Sequence, residues 1–464
     1  MRTRVILFIV LGILCRLTAF GQQLPADVRS KIDDIAKDVL SKTGVPSASV
    51  AIVKDGQIAY LQAYGSSRLD PPTAAKPEMR YSIGSISKQF TAAAILLLQE
   101  QHKLALDDKV GKYLPDLTRA NEVTIRQLLS HTSGYQDYWP EDYVMPGMLK
   151  PVTAQQILDQ WGKKPLDFDP GTQWQYSNTN YVIAGVIIEK MSGTPLIEFL
   201  HKNVFVPLGM DRVADTDDGR LMPPDPAGYL RYALGPSRPA PKEGRGWMFA
   251  AGELAMPAED LAKWDISITN RTLLKPESYR EFETEIVLND GVGTQYALGV
   301  SVKNDGKRRE LEHNGEVSGF TAENIVYPDD KIAIAVLTNQ DAASAGGQIA
   351  SRVSPLLFEA ADAATPQKLA QARKIFEGLQ KGQIDRSLFT ANTNAYFNDQ
   401  ALADFAGSLG PLGVPEEFLQ VRQDLRGGMT LRVYRIKFPQ KTIRAWTYEM
   451  PDGKLEQYQV AAVN

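Results

Sequence analysis

The chain has 464 residues, of which 43% are hydrophobic and 23% are charged, and its formal net charge is −4. This length and composition are typical of a globular protein that buries one large core or splits into two domains. A mildly acidic chain without basic clusters is a poor candidate for nucleic-acid binding, because that binding depends on neutralising phosphates.

The first 21 residues have the layout of a secretory signal peptide. Arg2 and Arg4 precede an apolar run at 5–15, and a small-residue site follows at 19–21. The run is shorter than the roughly 20 residues that span a bilayer. We therefore expect cleavage, export to the periplasm or the medium, and no membrane span afterwards, with an uncleaved anchor as the alternative. The single cysteine, Cys15, lies in this segment, so the mature chain would have no disulfide and no cysteine metal ligand.

The N-terminal third contains clear helix and strand patterns. Its predicted elements are a helix, two strands and a buried helix, at 27–45, 47–56, 57–65 and 85–98. The two strands meet at Asp55-Gly56, which is a strong hairpin signal. Residues 104–210 are predicted to be mainly helical.

Strand patterns return in the second half of the chain. The predicted strands of this part lie at 296–302, 323–328 and 331–339. The segment 360–368 is small, polar and contains a proline, which favours a linker. Beyond it we predict a helix at 369–382 and three strands joined by tight turns. The predicted domains are therefore 22–362 and a small α+β domain at 363–464.

Ser85 and Lys88 lie three residues apart at the start of the predicted buried helix. Residues with this spacing share one helix face, so the lysine is a candidate for partial burial. Burial disfavours the ammonium form and would make Lys88 a base for the serine proton. The alternative is that Ser85 caps the helix and Lys88 faces solvent, because serine is a preferred N-cap.

Two further polar motifs lie at the ends of predicted elements. The sequence Y-S-N at 176–178 precedes an apolar helix, and H-N-G at 313–315 lies between predicted strands. A serine–lysine pair needs a further proton-transfer group and donors for an oxyanion. Each motif also has a structural reading, in which Ser177 or Asn178 caps the helix and the histidine only packs.

The three motifs S-x-x-K, Y-x-N and H-x-G, in this order, resemble those of the serine β-lactamase and penicillin-binding-protein superfamily. They are most similar to its class C-like branch, which includes D,D-peptidases, D-aminopeptidases and esterases. The resemblance covers about residues 27–360 and includes "TIRQLLSHTSG" and "AAGELAMPAEDLAKW". It implies an α+β, β-lactamase/transpeptidase-like fold, in which helices flank an antiparallel sheet beside a mainly helical subdomain.

The resemblance also implies a role for each motif residue. Ser85 corresponds to the acylated nucleophile, Lys88 to its proton acceptor, and Tyr176 to the residue that relays protons to the leaving group. Asn178 would orient Lys88 and the substrate amide. His131, in "LLSHTSG", is interpreted as a structural residue that fastens a turn. No cofactor and no metal are implied.

The third motif departs from the family pattern. His313 and Gly315 occupy the place of Lys and Gly in the family's Lys-Thr-Gly triplet, and the backbone N–H groups of Ser85 and Glu316 would hold the oxyanion. A lysine there supplies a fixed positive charge for a substrate carboxylate, whereas a histidine is mostly neutral near pH 7. The Glu316 side chain near the mouth is also unfavourable for anionic substrates.

We therefore expect an exported serine hydrolase that acts on a small-molecule or peptide substrate, as an esterase or a D-amino-acid peptidase. The alternatives are a true class C-like β-lactamase or D-alanyl-D-alanine carboxypeptidase, and a non-catalytic protein that binds peptidoglycan-like ligands. The C-terminal domain weakly resembles small cone-shaped domains of the nuclear-transport-factor type, and its sequence indicates no ligand. The sequence does not indicate an oligomeric state.

Overall fold

The structure, a computed structural model, describes residues 23–462 except 218, 220, 305–307 and 359–364. The chain divides after Phe358 into two compact units. The predicted signal peptide and most of the predicted linker lie outside the described residues.

The first unit contains helices of very different lengths. In chain order they are α1 Ala26–Thr43, α2 Ser87–Glu100, α3 Ile125–Leu129, α4 Ala154–Ile157, α5 Asn178–Ser192, α6 Leu196–Leu200, α7 Val206–Leu208, α8 Ala258–Asn270, α9 Pro276–Glu283 and α10 Ala345–Phe358. A short 3-10 turn at Gly84–Ile86 leads directly into α2.

The strands of the first unit include several of only two or three residues. In chain order they are β1 Ser47–Lys54, β2 Gln57–Leu69, β3 Pro72–Ala74, β4 Tyr81–Ser82, β5 Ala214–Asp215, β6 Tyr229–Leu230, β7 Arg238–Pro239, β8 Leu254–Met256, β9 Ser301–Asn304, β10 Arg309–Val317, β11 Phe320–Tyr327 and β12 Ile332–Thr338.

Seven of these strands form one antiparallel sheet in the order β3-β2-β1-β12-β11-β10-β9. The strand β1 is buried along nearly its whole length, because successive side chains enter two different cores. Val50 and Ile52 join the core beneath α1 and α10, whereas Ala51 and Val53 join the core that contains α2, α5 and α8. The sheet is therefore covered by helices on both faces, as expected for the predicted α+β fold.

The local chemistry of the N-terminal elements agrees with the sequence patterns. α1 ends where Gly44 adopts φ 71°, a left-handed conformation that glycine tolerates. In the β1–β2 turn, Asp55 and Gly56 have φ values of 54° and 70°. Two consecutive positive φ values are typical of the two-residue hairpin turn that Asp-Gly predicts.

The structure differs from the predicted elements in three places. Residues 104–210 contain less helix than predicted, because prolines and glycines divide them into short pieces around α5. The strand predicted at 296–302 begins only at Ser301, since Gly299 turns with φ 77° and a Cβ there would lie 2.9 Å from Lys88 O. The motif at 313–315 lies within β10 rather than between strands.

The second unit is a four-stranded antiparallel sheet with helices. Its elements are α11 Thr365–Leu379, α12 Ala391–Tyr396, α13 Asp399–Leu409, β13 Glu417–Arg426, β14 Met429–Lys437, β15 Thr442–Glu449 and β16 Leu455–Ala462. The sequence patterns predicted α11 and the last three strands but not β13, whose side chains are mostly half-buried or exposed. Phe376, Tyr434 and Tyr458 are in the centre of its separate hydrophobic core.

Candidate active site

Ser85 and Lys88 lie on the same side of the turn that begins α2. Lys88 is completely buried, and its Nζ lies 2.9 Å from Ser85 Oγ. Nζ also donates hydrogen bonds to Asn178 Oδ1 at 2.8 Å and to the backbone oxygen of Ala251 at 2.8 Å. The alternative of a helix cap and a solvated lysine does not hold, because Ile86 occupies the N-cap position and Lys88 has no exposed surface.

The environment of Lys88 favours the neutral amine. Its three hydrogen-bond partners are uncharged. Burial lowers the pKa of Lys88 to about 7, and the nearby carboxyl groups of Asp137 and Glu253, when ionised, oppose that shift. A substantial fraction of Lys88 is therefore able to accept a proton at neutral pH.

Asn178 reaches Lys88 from the first turn of α5. Ser177 occupies the N-cap position of this helix, but its hydroxyl makes no capping hydrogen bond and is buried without a partner among the described residues. Asn178 instead contacts Asp137, whose Oδ1 accepts from Asn178 N at 3.0 Å and from Asn178 Nδ2 at 3.2 Å. The first turn of α5 thus joins Lys88 to a carboxylate.

Tyr176 lies just before α5 and completes a cluster with Ser85 and Lys88. Burial raises the pKa of the Tyr176 hydroxyl above its ordinary value, and a hydrogen bond with the Ser85 side chain opposes that rise. The ring packs against His131, with ring centroids 4.3 Å apart. Tyr176 therefore keeps its proton at neutral pH, and its hydroxyl lies within hydrogen-bonding reach of the Ser85 side chain.

His131 fastens the segment that carries Tyr176. Its side chain is fully buried, and its Nδ1 accepts a hydrogen bond from Ser177 N at 3.2 Å. Burial and the nearby Lys88 charge lower the pKa of His131 well below 6.5. A neutral ring holds the backbone directly after Tyr176, which agrees with the structural role expected from the sequence.

The strand β10 approaches Ser85 along an edge that β9 leaves open. β9 pairs with Arg309–Glu312 only, so the following residues face the turn at Gly84–Ile86 on that side. A Cβ at Gly315 would lie 1.9 Å from Ile83 O and 3.2 Å from Ser85 N. Only glycine permits this approach, and it brings the backbone of Glu316 next to that of the Ser85 turn.

His313 has no free hydrogen-bond donor. Its Nδ1 lies 2.5 Å from Asn314 O, and its Nε2 lies 2.9 Å from the hydroxyl of Tyr296. A backbone carbonyl only accepts, so Nδ1 carries the proton and Nε2 accepts from Tyr296. Burial and the Lys88 charge lower the pKa of His313 to about 4, so the ring is neutral at physiological pH.

Glu316 belongs to an acidic group at this end of β10. Its Oε1 accepts a hydrogen bond from Ala342 N at 2.6 Å. Burial raises the pKa of Glu316, and the charges of Asp341 and Asp142 raise it further. The Glu316 side chain is therefore close enough to both carboxylates to interact with them electrostatically.

The structure brings together all seven residues that the sequence analysis singled out. It also places three residues there that the sequence analysis missed, namely Asp137, Tyr296 and Glu253. The position of Asp137 three residues after "LLSHTSG" was an available signal, because it shares a polar loop with a family-like motif. Glu253 lies in "AAGELAMPAEDLAKW", which was also an available signal, whereas Tyr296 lies in a segment that the sequence pattern marked only as a strand.

Within the described residues, no helix is long and apolar enough to cross a membrane. In the same part of the chain, no three His, Cys, Asp or Glu side chains converge in a way that could hold a metal ion.

Comparison with known proteins identifies relatives of this chain. Residues 32–353 match the family described as Beta-lactamase. A penicillin-binding protein of Bacillus subtilis is 28% identical over 310 residues, which span 64% of this chain and 68% of the relative. A D-aminopeptidase of Brucella anthropi is 30% identical over 298 residues, which span 63% of this chain but only 56% of the relative.

A solved structure shares the fold over nearly the whole chain. The octameric penicillin-binding protein homologue from Pyrococcus abyssi superposes with a TM-score of 0.64 at 22% identity, covering 94% of this chain and 96% of that chain. This likeness confirms the predicted β-lactamase/transpeptidase-like fold class. Since the family match covers well over half of the sequence, the chain belongs to the beta-lactamase family of serine hydrolases.

Proposed function

We propose that this protein is an exported serine hydrolase that cleaves an amide or ester bond through an acyl-enzyme on Ser85. The observation that carries the proposal is the 2.9 Å contact between Ser85 Oγ and the buried Nζ of Lys88. A lysine whose pKa is about 7 can take the serine proton at neutral pH.

The reaction begins when neutral Lys88 accepts the proton of Ser85 Oγ, which attacks the carbonyl carbon of the substrate. The carbonyl oxygen becomes an oxyanion, held by the backbone N–H groups of Ser85 and Glu316. The bond to the leaving group then breaks as Tyr176 donates its proton to that group, and Lys88 passes the proton that it took from Ser85 to the Tyr176 oxygen, which restores neutral Lys88 and protonated Tyr176. Water releases the acyl group by the reverse sequence of proton transfers.

We further propose that the preferred acyl donors carry no carboxylate beside the scissile bond. Both nitrogens of His313 are engaged with protein groups, so the ring offers no donor to a substrate anion. The acidic side chains of Glu316, Asp341 and Asp142 repel an anion and attract an amine. Neutral esters and amides or esters of D-amino acids with a free amino group fit these charges, and the D-aminopeptidase relative favours the second class.

Labelling of Ser85 is the direct test of the acyl-enzyme. A fluorophosphonate should add one adduct to the wild-type protein and none to Ser85→Ala, measured by intact mass and peptide mapping. Ser177 is the matched control, because its hydroxyl is buried away from Lys88's hydrogen bonds and Ser177→Ala should be labelled like the wild type. An adduct on any residue other than Ser85 would contradict the assignment.

A substrate panel distinguishes the acyl donors. We expect turnover of p-nitrophenyl butyrate and of a D-amino-acid amide to exceed turnover of a D-Ala-D-Ala peptide and a chromogenic cephalosporin. A preference for the cephalosporin would favour a true β-lactamase. Binding of these compounds without turnover would favour a non-catalytic role.

Export rests on the basic, apolar and small-residue pattern of the first 21 residues. N-terminal sequencing of protein from the envelope fraction should find a mature terminus near Gln22. Recovery of intact protein starting at Met1 from the cytosol would contradict it.

A further inference from the structure

Asp137 lies between the catalytic cluster and the N-terminus of α5. We propose that Asp137 is a positioning residue, which orients the Asn178 amide toward Lys88 and stabilises the protonated form of Lys88 through its negative charge. This inference rests on the proposed role of Lys88 as the base for Ser85.

The first part of the argument concerns the orientation of the Asn178 amide. A primary amide has one acceptor oxygen and one donor nitrogen. Asn178 Nδ2 donates to both carboxylate oxygens of Asp137, at 3.2 and 3.3 Å, and Oδ1 therefore points to Lys88 Nζ at 2.8 Å. The reversed amide would place its nitrogen against Nζ and its oxygen against a carboxylate. Asp137 thus selects the orientation in which Lys88 has an acceptor.

The second part concerns the loop that holds Asp137. Its Oδ1 accepts from Trp139 N at 3.1 Å, as well as from Asn178 N. The adjacent Gln136 accepts at its backbone oxygen from Thr179 Oγ1 at 2.6 Å. These contacts fasten the loop to the first turn of α5, where a carboxylate is also favoured by the helix dipole. Asp137 is consequently fixed relative to both Asn178 and Lys88.

The third part concerns charge. The titratable groups that face Lys88 are two carboxyls, Asp137 and Glu253, together with two tyrosines and two histidines, namely Tyr176, Tyr181, His131 and His313. The histidines are neutral near pH 7 and the tyrosines keep their protons. The Glu253 carboxyl has a pKa of about 8 because it is buried, so it is mostly protonated below that pH. Burial also raises the pKa of Asp137, but hydrogen bonds from the backbone N–H groups of Trp139 and Asn178 and the charge of Lys88 oppose that rise. Asp137 therefore has donors that stabilise its carboxylate, and it is the group that supports the lysine while it holds the serine proton.

The pH dependence of Ser85 labelling tests the proposal without a natural substrate. The measurement is the rate of phosphonylation by a fluorophosphonate between pH 5 and 9 for wild type, Asp137→Asn and Asp137→Ala. Wild-type labelling should fall as pH drops through the pKa of Lys88, because only the neutral amine accepts the proton.

The two variants separate charge from orientation. The acid limb is the part of the pH profile in which the labelling rate falls as pH decreases. In Asp137→Asn this limb should move to lower pH by about half a pH unit or more, because Lys88 loses its proton more readily without the opposite charge. Its plateau rate should stay within about tenfold of wild type, since the new side-chain oxygen still accepts from Asn178. In Asp137→Ala the plateau rate should also fall, by about tenfold or more, because the amide is free to rotate.

Two further variants serve as controls for the effect of removing a carboxylate. Asp167→Asn removes an exposed carboxylate, whose Oδ2 accepts from Gln175 Nε2 at 2.8 Å, and should leave the acid limb in place. Glu253→Gln should move the limb less than Asp137→Asn. Melting temperatures and circular dichroism verify that each variant is folded, and Asp137→Asn alone decides the charge effect if Asp137→Ala is unfolded.

An acid limb of Asp137→Asn that coincides with the wild-type limb would overturn the proposal, and so would a folded Asp137→Ala with the wild-type plateau. Wild-type protein that is not labelled at Ser85 would instead contradict the proposed function, and this inference with it.

Discussion

Two buried cations, one in each unit of the chain, show how different surroundings give the same kind of side chain different uses. Lys88 is fully buried and contacts a hydroxyl, an amide and a backbone carbonyl. Arg432, in β14 of the second unit, is 5% exposed and pairs with Glu449 at 2.5 Å. Lys368 from α11 also pairs with Glu449, at 2.5 Å.

The difference lies in the compensation of buried charge. A buried cation next to a carboxylate gains Coulombic energy that offsets its desolvation, so it stays charged and its loss of partner is costly. A buried lysine whose hydrogen-bond partners are all uncharged loses its proton more easily, which is the property that a general base needs. Lys88 is therefore suited to chemistry, and the Arg432–Glu449–Lys368 cluster is suited to holding helix α11 against its sheet.

Substitution of Lys88 should have the largest effect on activity. Lys88→Ala and Lys88→Arg should each lower kcat on a p-nitrophenyl ester by about 10²-fold or more, the usual cost of losing a proton-transfer group. The arginine variant matters most, because a guanidinium stays charged and cannot accept the serine proton. Lys103→Ala, at an exposed position, is the control. An active Lys88→Arg enzyme would show that Lys88 acts only as a charge.

Removal of the carboxylate in the second unit should affect stability and not chemistry. Glu449→Gln removes the carboxylate that pairs with both the buried Arg432 and Lys368, and we expect a loss of about 3 kcal/mol in the free energy of unfolding. Urea unfolding of the full chain measures this loss, while ester turnover under native conditions should remain at the wild-type level. Glu417→Gln is the matched control, because its partner Arg435 is half exposed and the expected loss is below about 1 kcal/mol. Equal losses of stability in the two variants would mean that the buried ion pairs of Glu449 contribute no more than the exposed pair of Glu417.

A new cation at position 313 should give the smallest effect, a change in specificity. His313→Lys should raise the ratio of kcat/KM for a penicillin to that for an ester by about tenfold or more, because a charge-assisted hydrogen bond to the carboxylate is worth about 1.5–3 kcal/mol. In the wild type, protonation of His313 would help an anion only as pH falls toward its pKa of about 4. Penicillin turnover should therefore show no gain from this group between pH 8.5 and 5.5. Efficient penicillin hydrolysis at pH 8 would mean that another group holds the carboxylate.

The relative position of Ser85 and Lys88 and the burial of the lysine could be predicted from the sequence, because both depend on residues close together in the chain. The spacing of Ser85 and Lys88 fixes their relative position on one helical turn, and the apolar residues that follow favour burial of the lysine. The same local logic predicted the Asp55-Gly56 turn. In the second unit, the strands β14, β15 and β16 could be predicted because the alternation of apolar and polar residues lies within each strand.

Other features of the site depend on contacts distant in sequence. Asp137 contacts Asn178 across 41 positions, and Tyr296 contacts His313 across 17. Neither contact has a spacing that a helix or hairpin would impose. The pKa of His313, which falls to about 4, could not be inferred from its motif, because burial near Lys88 causes the shift. The domain boundaries at 362 and 363 stay a prediction.

The sequence by itself determined the family, the fold class and the order of the motifs, because these depend on residue type, spacing and hydrophobic period. Only the tertiary structure decided which side chains meet: that Lys88 has uncharged partners, that Asp137 fixes the Asn178 amide, and that both nitrogens of His313 are engaged. The physical reason is that a pKa and a hydrogen-bond partner depend on everything packed within a few ångströms. That packing brings together α2, α5, β10 and the loop after α3, which are far apart in the chain.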